Sequence, residues 1–159
     1  MVMVRIKVYS CGVCHTDIMM AKGAFPGLPF PVVPGHEVAG RIDEVGEGVT
    51  CFKKGDKVGV GYFGGSCHEC KQCKQNQWTT CEKVGTTGIS FRGGMAEYMI
   101  APCDAVSVIP EEISFAEAGP LMCAGVTTFN SIRSMGIRPG EKVIIQGIGG
   151  LGHLAIQVC

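Results

Sequence analysis

The sequence predicts a mixed α/β fold, with a mainly β domain first and a shorter stretch of helix and strand after it. Three observations carry that reading. Glycine accounts for 24 of the 159 residues, about twice its usual share of about 7%, which calls for many tight turns between short strands. The first hundred residues hold short apolar–polar alternations bounded by glycine and proline. After Pro110 the alternation gives way to helix signals.

Taken in order, Val4-Arg5-Ile6-Lys7-Val8 alternates and reads as a half-buried strand. Val38, Gly40 and Ile42 alternate with Arg41 and Asp43, giving a second strand between turn signals at Gly35 and Gly46. Residues 57–60 and 95–100 read as two more, and this spacing predicts a small antiparallel barrel or sandwich. Ser114-Phe115-Ala116-Glu117 has the S-x-x-E form of a capping box, in which serine and glutamate satisfy the first free amides of a helix. Gly119-Pro120 is expected to interrupt that helix. Residues 126–135 read as a second helix, stopped by Gly136 and Pro139. Residues 142–146 read as a buried strand running into Gly147, Gly149 and Gly152, and 151–158 as an apolar helix. A domain boundary is expected near 120–140.

Composition excludes several classes of function. Lys and Arg total 14, as do Asp and Glu, and no basic patch suits a phosphate backbone, so nucleic acid is not an expected partner. No run approaches the roughly 18 apolar residues of a membrane span. The opening MVMVRIKVYS lacks the continuous apolar stretch of a secretory leader, and a cytoplasmic location is expected. In that setting the ten cysteines point to metal ligation more than to disulfides.

Four of them, Cys67, Cys70, Cys73 and Cys81, follow the spacing C-x2-C-x2-C-x7-C. Thiolates two residues apart converge on one ion when a tight turn aims both inward, and four complete the closed tetrahedron of structural zinc. An iron–sulfur cluster is the first competitor, but its bacterial spacing continues x3-C-P; disulfides are the second. The lobe over residues 66–82 has too few apolar residues to fold alone, so the ion would contribute to folding.

A second set of candidate ligands is scattered. CGVCHTD supplies Cys11, Cys14, His15, Thr16 and Asp17; PGHE supplies His36 and Glu37; PLMCAG supplies Cys123. Singly, each has a plain reading: Cys123 as a small buried residue, His36 and Glu37 as a surface pair. Gly147, Gly149 and Gly152 spell GxGxxG after an expected strand and at the start of an expected helix. In that context a pyrophosphate is approached by the backbone and met by the helix N-terminus.

The combination resembles the zinc-containing medium-chain alcohol dehydrogenase family. GHEVAGRIDEVGEGV matches the pattern GHE-x2-G-x5-G-x2 followed by a small apolar residue. CHTD, the four-cysteine lobe, CAGVTT and GIGGLG follow in the family's order. The resemblance implies a GroES-like barrel over 1–124 and the beginning of a Rossmann domain over 125–159. It implies two Zn2+ ions, a catalytic one on Cys14, His36 and Cys123 and a structural one on the lobe. An open fourth position suits an alcohol that must lose its proton before passing hydride to NAD or NADP. Thr16 would take that proton, Asp17 would orient His36, and Glu37 would lie close to the metal. His15 would meet the cofactor pyrophosphate, Thr127 would sit beside the nicotinamide, and Gly147, Gly149, Gly150 and Gly152 would cradle the dinucleotide. Phe63 would belong to the substrate wall.

Met19 stands where many relatives have a proton-relaying histidine, so the relay would run through water or another group. Cys11, Cys51, Cys103 and Cys159 are expected to be structural or incidental. The expected function is oxidation of a small alcohol to an aldehyde or ketone, with homo-oligomers in the full-length form. The ribose-reading residue falls about 20 residues past the glycines, so the chain is expected to be a fragment with weak or no turnover alone. The alternative from another class is a stand-alone zinc-binding barrel without catalysis.

Overall fold

A computed structural model describes residues 2–159. Five strands form one antiparallel sheet: β1 (Met3–Cys11), β2 (Val38–Val45), β3 (Lys57–Val60), β4 (Tyr98–Pro102) and β5 (Val106–Val108). Their spatial order is β4-β1-β2-β3-β5. The alternation that marks the strands also sets the register. Val4 faces Val45, Ile6 faces Ile42 and Met99, and Val58 faces Val108. A one-residue slip would turn every one of these side chains to the other face. Val4, Ile6, Val38, Ile42, Val58, Val60, Met99, Ala101 and Val106 form the buried core of this half-barrel.

β1 runs three residues beyond the expected strand, and its far end matters most. Irregularities between Arg5 and Ile6 and between Val8 and Ser10 bend it. Cys11 then pairs with Val38, and the Gly12 N–H donates to Glu37 O at 2.9 Å. Sequence segments 11–17 and 35–37 are thereby fastened side by side. The chain turns next into α1 (His15–Ala21), a helix the sequence reading did not assign. Its start is held by Asp17, whose Oδ2 accepts from the Cys14 N–H at 2.9 Å, and Met20 is fully buried beneath it.

The fourth strand lies three residues later than expected: residues 94–97 bend and pairing begins at Tyr98. The capping box is present, with Ser114 Oγ accepting from the Glu117 N–H at 3.2 Å and Glu117 Oε2 from the Ser114 N–H at 2.9 Å. It opens α3 (Phe115–Pro120), whose buried Ala118 packs with Ala39 of β2 and with Ile109 just after β5. Replacing Ser114 by alanine is expected to destabilise the protein by about 1 kcal/mol, seen as a lower urea midpoint at unchanged slope.

Gly119-Pro120 does not break the rod, contrary to expectation. Proline lacks the N–H for an i−4 bond, and the ladder continues as a π turn over Leu121–Gly125 before α4 (Val126–Ser134). Thr128 Oγ1 donates to Ala124 O at 2.8 Å within this stretch. A π turn widens the helix by one residue and is often found where a side chain must be aimed; here it carries Cys123.

The expected buried strand at 142–146 is not formed. The segment is unpaired and Ile144 is 94% exposed. A strand needs neighbours to take its N–H and C=O groups, and among the described residues none lies beside it. The helix after it is present as α5 (Gly150–Val158), packed against α4. Three short helical pieces complete the described chain: α2 (Lys71–Lys74) and a 3-10 turn at Trp78–Thr80, both in the cysteine lobe, and a 3-10 turn at Cys103–Ala105 between β4 and β5. None of the described helices is long and apolar enough to cross a membrane.

Candidate metal centres and the cavity beside them

The four lobe cysteines converge. Sγ separations are 4.0 Å for Cys67–Cys73, 3.5 Å for Cys70–Cys73, 3.9 Å for Cys70–Cys81 and 3.5 Å for Cys67–Cys81. A tetrahedron with metal–sulfur bonds of about 2.3 Å has edges of about 3.8 Å, so the cage already has the size of one zinc-like ion. A disulfide needs about 2.05 Å, and the sulfurs are too far apart for one. Backbone amides point at the sulfurs: Cys70 N–H at Cys67 Sγ (3.4 Å), Cys67 N–H and Lys83 N–H at Cys81 Sγ (3.4 and 3.3 Å). Such donors favour the thiolate, and amides of Cys73 and Glu82 lower the Cys70 thiol to about 6.

His68 adopts a left-handed φ of 58° between the first two ligands, and its Nε2 lies 3.0 Å from Asp104 Oδ2. Asp104 Oδ2 also accepts from the Ser66 N–H at 3.1 Å. Asp104 thus moors the lobe to the sheet, a role with no signal in its own neighbourhood of sequence.

The scattered ligands also meet. One atom each of Cys14, His36, Glu37 and Cys123 lies within 4.8 Å of the others. His36 and Glu37 are buried, not a surface pair. Asp17, also buried, joins the pieces: its Oδ1 accepts from the Gly35 N–H at 2.9 Å and from His36 Nδ1 at 3.1 Å. That bond commits Nδ1 as donor and leaves Nε2 with the free lone pair. Thr16 Oγ1 lies 3.6 Å from Cys14 Sγ. Tyr62, unremarked in the sequence, meets the His36 ring edge-on at 5.2 Å. A side chain on Gly12 would displace the Glu37 carboxyl, since its Cβ would lie 2.0 Å from Glu37 Oε2.

The donor set itself asks for a cation. Burial, then the nearby Cys14 and Glu37 charges, pushes the Cys123 thiol up to about 12, and burial raises Glu37 above the usual carboxylate range. Two thiols and a carboxyl gathered in one buried place oppose one another's ionisation. A divalent cation between them would attract each of them as an anion. The residues present therefore fit a metal with sulfur and nitrogen ligands, as zinc prefers.

A cavity of about 440 Å³ opens beside Cys123. Its walls come from Tyr62 and Phe63, from Thr79 of the lobe and Val84 and Thr86 just after it, and from Met122, Val126 and Thr127 of the helical rod. Phe63 and Thr127 thus line the same space as the candidate ligand Cys123. His15 is exposed on the first turn of α1. Gly147, Gly149, Gly150 and Gly152 line a separate groove of about 400 Å³ at the start of α5, with Thr128 on its wall. Gly152 admits no side chain, since a Cβ would lie 1.9 Å from Gly147 O.

Comparison with known proteins agrees with this geometry. Residues 2–111 match the alcohol dehydrogenase GroES-like domain. An alcohol dehydrogenase of Geobacillus stearothermophilus is 50% identical over 157 residues, 98% of this chain and 46% of the relative. The CAD of Helicobacter pylori, solved with NADP(H), superposes with a TM-score of 0.91 at 36% identity, over 98% of this chain and 47% of that one. A thermostable alcohol dehydrogenase of Pyrobaculum aerophilum, solved with cobalt and zinc, gives 0.89 at 35%, with coverage of 98% and 47%. The chain spans about half the length of the relatives it matches. With the GroES-like sheet, the paired cysteine-rich centres and these likenesses together, the chain belongs to the zinc-containing medium-chain alcohol dehydrogenase family.

Proposed function

We propose that this chain is the alcohol-binding part of a zinc-dependent dehydrogenase that oxidises a small alcohol with NAD or NADP. The observation that carries the reading is the meeting of Cys14, His36, Glu37 and Cys123 beside a cavity large enough for a small organic molecule. A purely structural metal module has no use for such an opening, which sets this reading above a non-catalytic barrel.

In this reading Cys14, His36 and Cys123 hold the catalytic zinc, and Cys67, Cys70, Cys73 and Cys81 hold the structural one. The catalytic ion supplies Lewis acidity that eases loss of the hydroxyl proton at neutral pH. Thr16, beside Cys14 Sγ, would accept that proton on Oγ1 as its own hydroxyl proton passes on to water. Asp17 fixes the His36 tautomer so that Nε2 faces the ligand cluster. Glu37 supplies the remaining polar wall. Met122, Val126 and Phe63 exclude water from the alcohol carbon, where hydride leaves. Thr127 stands on the nicotinamide side of the cavity. The groove of Gly147, Gly149, Gly150 and Gly152 takes the pyrophosphate with His15 as a basic partner. Residues 1–124 form the catalytic domain, and 125–159 the first part of the cofactor domain.

The test is zinc per chain together with alcohol-dependent reduction of NAD or NADP in the polypeptide that carries both domains. Two equivalents of zinc, falling to one in Cys14→Ser with loss of turnover, are expected. One equivalent in the unaltered protein, unaffected by Cys14→Ser, would overturn the reading. Asp17→Asn is expected to weaken the catalytic zinc by about 10–100-fold, measured by competition with a chelator, and to leave the lobe zinc in place.

A further inference from the structure

Two thiols outside the metal centres meet at one end of the sheet. β1 begins there, and two neighbouring strands end beside it: Val45 pairs with Val4, and Pro102 pairs with Met3. The loop after β2 carries Cys51. The turn after β4 starts at Cys103, whose N–H donates to Val2 O at 3.1 Å. Cys51 lies close enough to influence the ionisation of Cys103. Both line a cavity of about 560 Å³ with Val2, Ser66, Cys67 and His68. Cys51 is exposed; Cys103 is half-buried against the sheet core.

We propose that Cys51 and Cys103 form an oxidation-sensitive dithiol that closes to an intramolecular disulfide when it meets a small-molecule disulfide. Exposure makes Cys51 the first to react. Its thiolate attacks one sulfur of RSSR, forming Cys51–S–S–R and releasing RS⁻, which takes up the proton Cys51 gave off. Cys103 then loses its proton, attacks the Cys51 sulfur and expels the second RS⁻, which is protonated in turn. Two cysteine thiols are oxidised and RSSR is reduced to two RSH. Burial, followed by the proximity of Cys51, pushes the Cys103 thiol up to about 11, which suits a thiol that resolves an adduct and does not start the exchange.

The bond would join the β2–β3 loop to the residue before Asp104, the mooring of the zinc lobe. It would form without recruiting a metal ligand.

The experiment treats the zinc-loaded protein carrying Cys159→Ser with oxidised glutathione, then maps the alkylated peptides by mass spectrometry. The expected product is lighter by two hydrogen atoms, yields a Cys51–Cys103 cross-linked peptide, keeps all its zinc and reverts with dithiothreitol. Adding Cys103→Ser should stop the reaction at a glutathione adduct on Cys51, and adding Cys51→Ser should prevent both products. The proposal is overturned by a lasting glutathione adduct on Cys51 when Cys103 is present. It is equally overturned by disulfides among the lobe cysteines with zinc loss, or by no reaction at all.

Discussion

A chain with Cys73 replaced by serine will lose one zinc ion and the order of its four-cysteine lobe, while the five-stranded sheet stays folded. Between residues 67 and 84 the only buried side chains are Cys73 and Cys81, both of them ligands. Trp78 and Val84, the large apolar residues of that stretch, are exposed. Nothing apolar is left to order that stretch once the ion goes. Structural zinc in small peptide sites contributes about 10–16 kcal/mol, as much as the whole stability of an ordinary domain, about 5–15 kcal/mol. Loss of the ion therefore cannot be absorbed locally. Trypsin should cut rapidly at Lys71, Lys74 and Lys83, with the sheet fragment surviving. A variant that kept two zinc equivalents and resisted trypsin would show that the lobe is held by its protein contacts.

The elements legible in the sequence are those whose signal is local. The alternation at 4–8 reads as a strand because one face of it is buried, and 38–42 and 57–60 read as strands because Val38, Ile42, Val58 and Val60 join the same core. The Ser114–Glu117 box reads as a helix start because both partners lie within one turn. What failed depended on something elsewhere. α1 has seven residues, too few for an apolar period, and is fixed by Asp17 reaching Gly35 and His36. The strand expected at 142–146 has the right residues and no neighbour among those described. Pro120 signals a helix end, yet the π turn lets the rod continue past it. The meeting of Cys14, His36 and Cys123 was legible only through family resemblance, because they are far apart in the chain and each is ordinary alone. Tyr62 and Asp104 carried no motif, and their roles come from the packing of distant segments onto them.

His36→Ala is expected to separate the two centres. The catalytic zinc should be lost and the lobe zinc kept, so elemental analysis should fall from two equivalents to one without new tryptic cuts at Lys71, Lys74 or Lys83. Turnover of the complete enzyme should drop by about three orders of magnitude, the scale of losing several kcal/mol of Lewis-acid stabilisation. Stability should also fall, because buried Asp17 loses one of the two donors on its Oδ1 and keeps only the Gly35 N–H there, and one hydrogen bond contributes about 0.5–1.5 kcal/mol. The converse does not hold. The lobe supplies Thr79, and the segment it leads into supplies Val84 and Thr86, to the cavity beside Cys123, so Cys73→Ser should damage alcohol binding as well as the lobe. Destroying the catalytic centre leaves the lobe standing, whereas destroying the lobe opens the catalytic cavity on one side. Equal loss of both zinc ions in His36→Ala would contradict that asymmetry and place the two centres in a single cooperative unit.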